Sequence, residues 1–329
     1  VAMSQKNLFF FVLLILAGLS SRAYGCLYFK SDMKLSSFRE NDREALMFHD
    51  GEAVNLILKT GFSGKLPKTL AWVFPVASKP LGYKVSSPQI FKVLNVYFER
   101  DKSKGYSLAR GVPKGAAKSP GIKIHETEHV GQYEIIPIEI LSESSGLELN
   151  DWLKNQGFNA SPLEIQKPYL KKGSFFLAIR ANLSGDDAQL EPLWVRYKAS
   201  SMSFPLRFTH DYRSFNLNLY FLAEQGKKRH LPEGLGWGES TRMTMKTISR
   251  YSGALSQVAN EKLKFEETDD QFSSLMNLLI EFRNVQAVDH FLNQKNLVLT
   301  KMTIQNINSE ATAKLYRTKN LKRDPSAEM

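Results

Sequence analysis

The segment EALMFHDGEAVNLILKT, residues 44–60, sets the fold class of this chain. Two apolar runs of strand length, 44–48 and 53–60, flank His49-Asp50-Gly51-Glu52. Asp-Gly between such runs signals a tight turn, hence an antiparallel pair. Further along, LAWVFPV at 70–76 is apolar without interruption, which predicts a strand buried on both faces. YEIIPIEIL at 133–141 predicts another, with Pro137 pointing to an edge or a bulge because it cannot donate to a ladder. Strands are also expected at 175–183, 193–199 and 204–222, the last bent or split near Asp211. Connections are short and few helices intervene, so a regular βαβ wind is not supported. The expectation is an α+β fold: a mostly antiparallel sheet domain with a few short helices, plus a more helical C-terminal extension.

The helices follow from a change of period. Ile90, Phe91, Leu94, Tyr97 and Phe98 recur at three and four, with Ser87 and Pro88 supplying cap and first turn, so 88–100 reads as amphipathic helix. A short helix is expected at 146–156, stopped by Gly157, with Trp152 and Leu153 on its buried side. Another is expected at 162–171. Past Gly226 a glycine loop with Trp237 leads to a helical region where Phe272, Leu275, Met276, Leu279 and Phe282 share a face, then a strand at 297–304. This divides the chain into a signal peptide at 1–25, a core domain at 26–225, a mixed, mainly helical region at 226–314 and a flexible tail at 315–329.

The start of the chain has the layout of a bacterial secretory signal. Lys6 precedes LFFFVLLILAGL at 8–19, and small residues Ala23 and Gly25 stand at −3 and −1 of a cut before Cys26. The apolar run is shorter than the ~20 residues that span a bilayer, so no transmembrane helix is expected once the signal is removed. Cys26 is also placed to carry a lipid, although Tyr24 and Arg22 fit that motif poorly. Export without an anchor is the primary expectation, into the periplasm or the medium. Cys26 is the only cysteine, so no intramolecular disulfide can form. Stability must come from a core, for which 43% hydrophobic and 11% aromatic residues suffice.

The net charge is +11, of which Lys6 and Arg22 of the signal supply two. For an exported chain, the anionic partners within reach are envelope components such as lipid head groups and surface polysaccharides, and nucleic acid is not expected. The cations are spread along the chain, which also fits a plain solvated surface. One stretch stands apart. Between 101 and 121, Lys102, Lys104, Arg110, Lys114 and Lys118 alternate with four glycines. It cannot bury apolar surface and reads as a basic loop, an insertion or an anion-binding arm.

His125-Glu126-Thr127-Glu128-His129 is the one sharp chemical motif, fitting H-E-x-x-H. On a helix, His125 and His129 would bind zinc on one face while Glu126 polarises the bound water. The surroundings read as strand, however, with Gly121 before and Gly131 after. Glu148 is the nearest candidate for a third ligand. His49-Asp50 and His210-Asp211 have no visible third partner. Trp72, Trp152 and Trp194 lie in regular elements and read as core.

The order of several segments resembles an exported bacterial family known as domain of unknown function 2330. The resemblance rests on a Cys just after the signal, Trp72-Val73-Phe74-Pro75-Val76, the helix at 88–100, Val130-Gly131-Gln132-Tyr133-Glu134, the turn at 144–147, Asp151-Trp152-Leu153, Gly157-Phe158, Gly173-Ser174-Phe175-Phe176 and Phe204-Pro205-Leu206-Arg207-Phe208. It covers about residues 26–223 and implies neither an activity nor a metal set. The expectation is an exported non-catalytic binding or scaffolding module without a cofactor. The alternative is a zinc-dependent hydrolase using His125, Glu126 and His129.

Overall fold

The computed structural model describes residues 27–29, 38–64, 69–98, 121–158, 160–183, 190–205, 215–224, 243–248, 267–294 and 297–307. The hairpin at 44–60 forms as expected: β2 (Phe38–His49) pairs antiparallel with β3 (Val54–Gly64), His49 opposite Val54. Gly51 takes a φ of +96°, and the Asp50 carboxylate accepts the N–H groups of Glu52 and Ala53. A side chain that mimics a turn in this way replaces backbone bonds the loop cannot make.

Two sheets stack face to face. The first has the order β1 (Leu27–Phe29), β4 (Thr69–Val76), β9 (Phe175–Asn182), β8 (Tyr133–Ile140), then β6 (Ile122–Ile124) and β7 (Glu128–Val130), both on β8. The second has the order β12 (Met243–Ile248), β13 (Leu297–Ile307), β11 (Phe215–Glu224), β2, β3, β10 (Leu193–Tyr197) and β5 (Pro80–Val85). Pairing is antiparallel except between β11 and β2.

Alternation along each strand sorts side chains into three cores. Leu70, Trp72 and Phe74 of β4 meet Ala45, Met47, Leu56 and Val195 of the other sheet. Ala71 and Val73 point the opposite way, with Ile136, Ile138 and Phe176, under Leu149 and Leu153 of α2 (Gly146–Asn155). The run at 70–76 is therefore buried on both faces, as expected. On the far side of the second sheet, Leu46, Phe48, Ile57 and Leu222 are covered by α1 (Gln89–Phe98) and by the C-terminal helices. The result is four layers: helices, sheet, sheet, helices. Short α3 (Leu163–Gln166) and a 3-10 turn (Lys167–Tyr169) complete the layer over the first sheet.

One expectation is met in part and one needs correction. Pro137 lies in an interior strand, between β9 on one side and β6 and β7 on the other, so it marks no edge, but the expected bulge is there: residues 125–127 stand opposite only 136 and 137. Pro137 is tolerated because the neighbour is interrupted opposite it: only the His125 N–H reaches the Pro137 carbonyl, and the missing donor faces the gap. Phe204 and Pro205 are not strand. Phe204 packs its ring against Phe74 at 5.8 Å, and β11 begins at Phe215. The C-terminal region holds the strand expected at 297–304, within β13. Besides α4 (Glu267–Leu278), the 3-10 turn Leu279–Phe282 and α5 (Gln286–Leu292), it contributes two strands, and β13 pairs with β11.

Gly131 turns β7 into β8 at a φ of +56°, and a Cβ there would come within 2.5 Å of the Val85 side chain on β5. This is where the edges of the two sheets approach. Gly131→Ala is expected to cost about 1–3 kcal/mol, from left-handed strain and the clash together. Val85→Ala in the same chain should recover the clash component alone. Urea unfolding of the single and double variants tests this.

Candidate functional site

The H-E-x-x-H segment sits at the rim of the first sheet. Gly121 is fixed at its start: its N–H donates to Glu148 and its carbonyl accepts from Ser145 and from the Leu141 N–H. After β6 the chain leaves the ladder at His125, opposite Pro137, and returns at Glu128. The His125 ring lies 5.2 Å from Phe175, and its Nε2 is 2.9 Å from the Glu139 carboxylate. Glu126 is exposed in the irregular stretch and His129 is exposed on β7. The two histidines therefore do not share a helix face, and Glu148, the third ligand considered, holds the Gly121 N–H instead. Among the described residues, no group of three His, Cys, Asp or Glu side chains is placed to hold a metal ion.

A polar network the sequence reading missed lies under the 49–52 loop. Arg196 on β10 donates from Nε to Asp50 at 2.9 Å and from Nη2 to Glu52 at 3.2 Å. Asn55 donates to the same Asp50 oxygen at 2.8 Å and accepts from the Trp194 indole at 3.2 Å. Asp50, Asn55 and Arg196 are all buried. Burial opposes ionisation of Asp50, but Arg196, Asn55 and the Ala53 and Glu52 N–H groups outweigh it and hold the carboxyl below its ordinary range. The signal was present in sequence: a charge inside LWVRY and an amide inside VNLIL interrupt otherwise buried strands.

A second polar band crosses the helix-covered face of the same second sheet. Thr303, Asn218, Glu44 and Lys59 stand side by side on β13, β11, β2 and β3. Glu44 is buried and shared between Lys59 at 2.8 Å and Asn95 of α1 at 2.6 Å. Asn95 in turn accepts from the Tyr220 hydroxyl at 2.7 Å, with the Lys301 ammonium 3.5 Å away. Lys59 lies over the Phe91 ring, and Lys301 over Phe98 and Tyr220. Rings facing ammonium groups offset their desolvation. The band lies at the C-terminal end of α1, just before the basic stretch in sequence.

That stretch, with Lys102, Lys104, Arg110, Lys114 and Lys118, lies outside the described residues, as do Cys26, the signal at 1–25, His210-Asp211, Trp237 and the tail at 315–329. Trp72 and Trp194 are core residues, and Trp152 is half-buried against Phe158. Among the described residues, no helix is long and apolar enough to cross a membrane.

The family described as "Uncharacterized protein conserved in bacteria (DUF2330)" matches residues 22–233, more than half of the chain. The chain belongs to DUF2330. The match takes in β1 through β11 and both networks except Lys301 and Thr303; β12, β13, α4 and α5 of this DUF2330 protein lie beyond it. No curated protein matches. Two crystal structures of a mutated baculovirus P35 after caspase cleavage are similar at low scores. The 3.1 Å structure is 8% identical with a TM-score of 0.37, covering 85% of this chain and 100% of P35. The 2.7 Å structure is 9% identical with a TM-score of 0.35, covering 80% and 99%. At these scores the likeness carries no argument about the DUF2330 chain.

Proposed function

We propose that this DUF2330 protein is an exported, non-catalytic binding module of the bacterial cell envelope, which meets anionic envelope components through the basic stretch at 101–121. The observation that supports it is how the polar side chains of the described core are used. Asp50 is taken by Arg196 and Asn55, Glu44 by Lys59 and Asn95, and His125 by Glu139. A catalytic set needs a convergent group left over to meet substrate, whereas these side chains meet one another. The basic stretch follows α1 in sequence, and α1 packs over the Lys59 and Lys301 ammonium groups of the sheet.

Replacing Lys102, Lys104, Arg110, Lys114 and Lys118 with Ser is expected to leave the thermal transition unchanged and to reduce retention on vesicles containing anionic lipid. The difference should shrink as salt shortens the Debye length to about 8 Å near physiological strength. Unchanged retention sinks the binding role. Stoichiometric zinc in protein purified from its host, lost on His129→Ala without loss of folding, would instead favour the zinc hydrolase. Amino-terminal sequencing of the same material tests export, with Cys26 as the expected first residue; a lipid mass on Cys26 would mean an anchored form.

A further inference from the structure

The family match ends at residue 233, yet the second sheet does not. On the side away from β2, β11 is paired with β13 from Phe215 opposite Ile307 to Glu224 opposite Leu297. Without β13, this ten-residue strand would offer a long edge with Leu217, Leu219 and Phe221 on one face and Tyr220 and Leu222 on the other. An apolar edge of that length is a template for pairing with another strand.

The face above the edge is completed in the same way. Among the described residues, nine of the nineteen buried members of the helix-side core come from beyond the match, Leu279, Phe282, Phe291 and Leu299 among them. Phe291 stacks on Phe48 at 5.3 Å and Phe282 on Trp194 at 5.1 Å. Glu281 adds a polar fastening, accepting from the Ser86 hydroxyl at 2.9 Å and the Ser87 N–H at the start of α1.

We propose that the family-matched portion is a strand acceptor, and that residues 267–307 are its resident ligand: an amphipathic helical segment followed by a strand that covers the β11 edge and itself carries β12. The mode is β-augmentation within one chain, in which main-chain bonds hold the strand and buried rings set its register. The acceptor fits a partner of that chemistry, and this chain carries one. The inference stands independently of the envelope reading.

The test uses the full chain with a specific protease site inserted between 226 and 242. After cutting, both pieces are expected to elute together in native buffer and to unfold in one transition. Its midpoint should now rise with protein concentration, because association has become bimolecular. Phe291→Ala in the cut protein should weaken association by roughly 100-fold or more. Precipitation of the amino-terminal piece after separation, relieved by adding back the other, also supports the proposal. Spontaneous separation in native buffer, with the amino-terminal piece keeping a cooperative transition of its own, overturns it.

Discussion

Arg196→Ala is expected to lower the free energy of unfolding at neutral pH by about 3–5 kcal/mol, the usual cost of leaving one member of a buried ion pair behind. The variant strands the Asp50 carboxylate, 6% exposed, with only Asn55 and two backbone N–H groups against its desolvation. It also frees Glu52, which reaches solvent and contributes little. The pH dependence has a definite sign. In the native protein the Asp50 carboxyl is held below its ordinary value. Its contribution is therefore complete above the unfolded carboxylate value of about 4 and is lost as pH falls through the lower folded value. In Arg196→Ala the carboxyl can escape its unpaired charge by taking a proton. The gap between native and variant proteins should thus be widest at neutral pH and shrink as pH falls toward 3. Asp50→Asn together with Arg196→Met should recover part of the loss, since no charge is then stranded. Urea unfolding across that pH range measures all three. An equal loss at both pH values would show that the guanidinium acts by packing alone.

Phe48→Ala is expected to cost about 3–5 kcal/mol, the range for emptying a fully buried aromatic site. Phe48 is inaccessible to solvent, at the centre of the helix-covered face of the second sheet. Its ring lies parallel to Phe291, with an interplanar angle of 6°. The same contact makes Phe291→Ala costly, and the double variant should lose less than the sum. Their coupling should be about 0.5–1.5 kcal/mol. A loss under about 1 kcal/mol for Phe48→Ala would mean that the cavity closes readily, which a docked helical layer does not permit.

Periodicity carried much of the fold. The 44–60 hairpin, the doubly buried run at 70–76, α1, α2 and the shared face of Leu275, Met276, Leu279 and Phe282 were legible because each is a local pattern of spacing. β5 and α5 were not read. Pro80 and Gly82 weaken β5 as a strand pattern, and α5 is only seven residues long. The candidate site was read least well. H-E-x-x-H is a statement about one helix face, and the backbone there is extended and interrupted. Asp50 was seen in its turn, but its partner Arg196 is 146 residues away, beyond any local pattern.

The sequence by itself determined the fold class and which strands are apolar on both faces, because alternation and turn chemistry act within a few residues; the family followed from the order of its segments. Only the tertiary structure decided that Pro137 sits inside a sheet, beside a gap in its neighbour. It alone brought Arg196 to Asp50 and Asn95 to Glu44, and seated β13 against β11. Those outcomes depend on which chemically similar surfaces meet across the chain, and pairing at that distance is set by the competition of whole faces for burial.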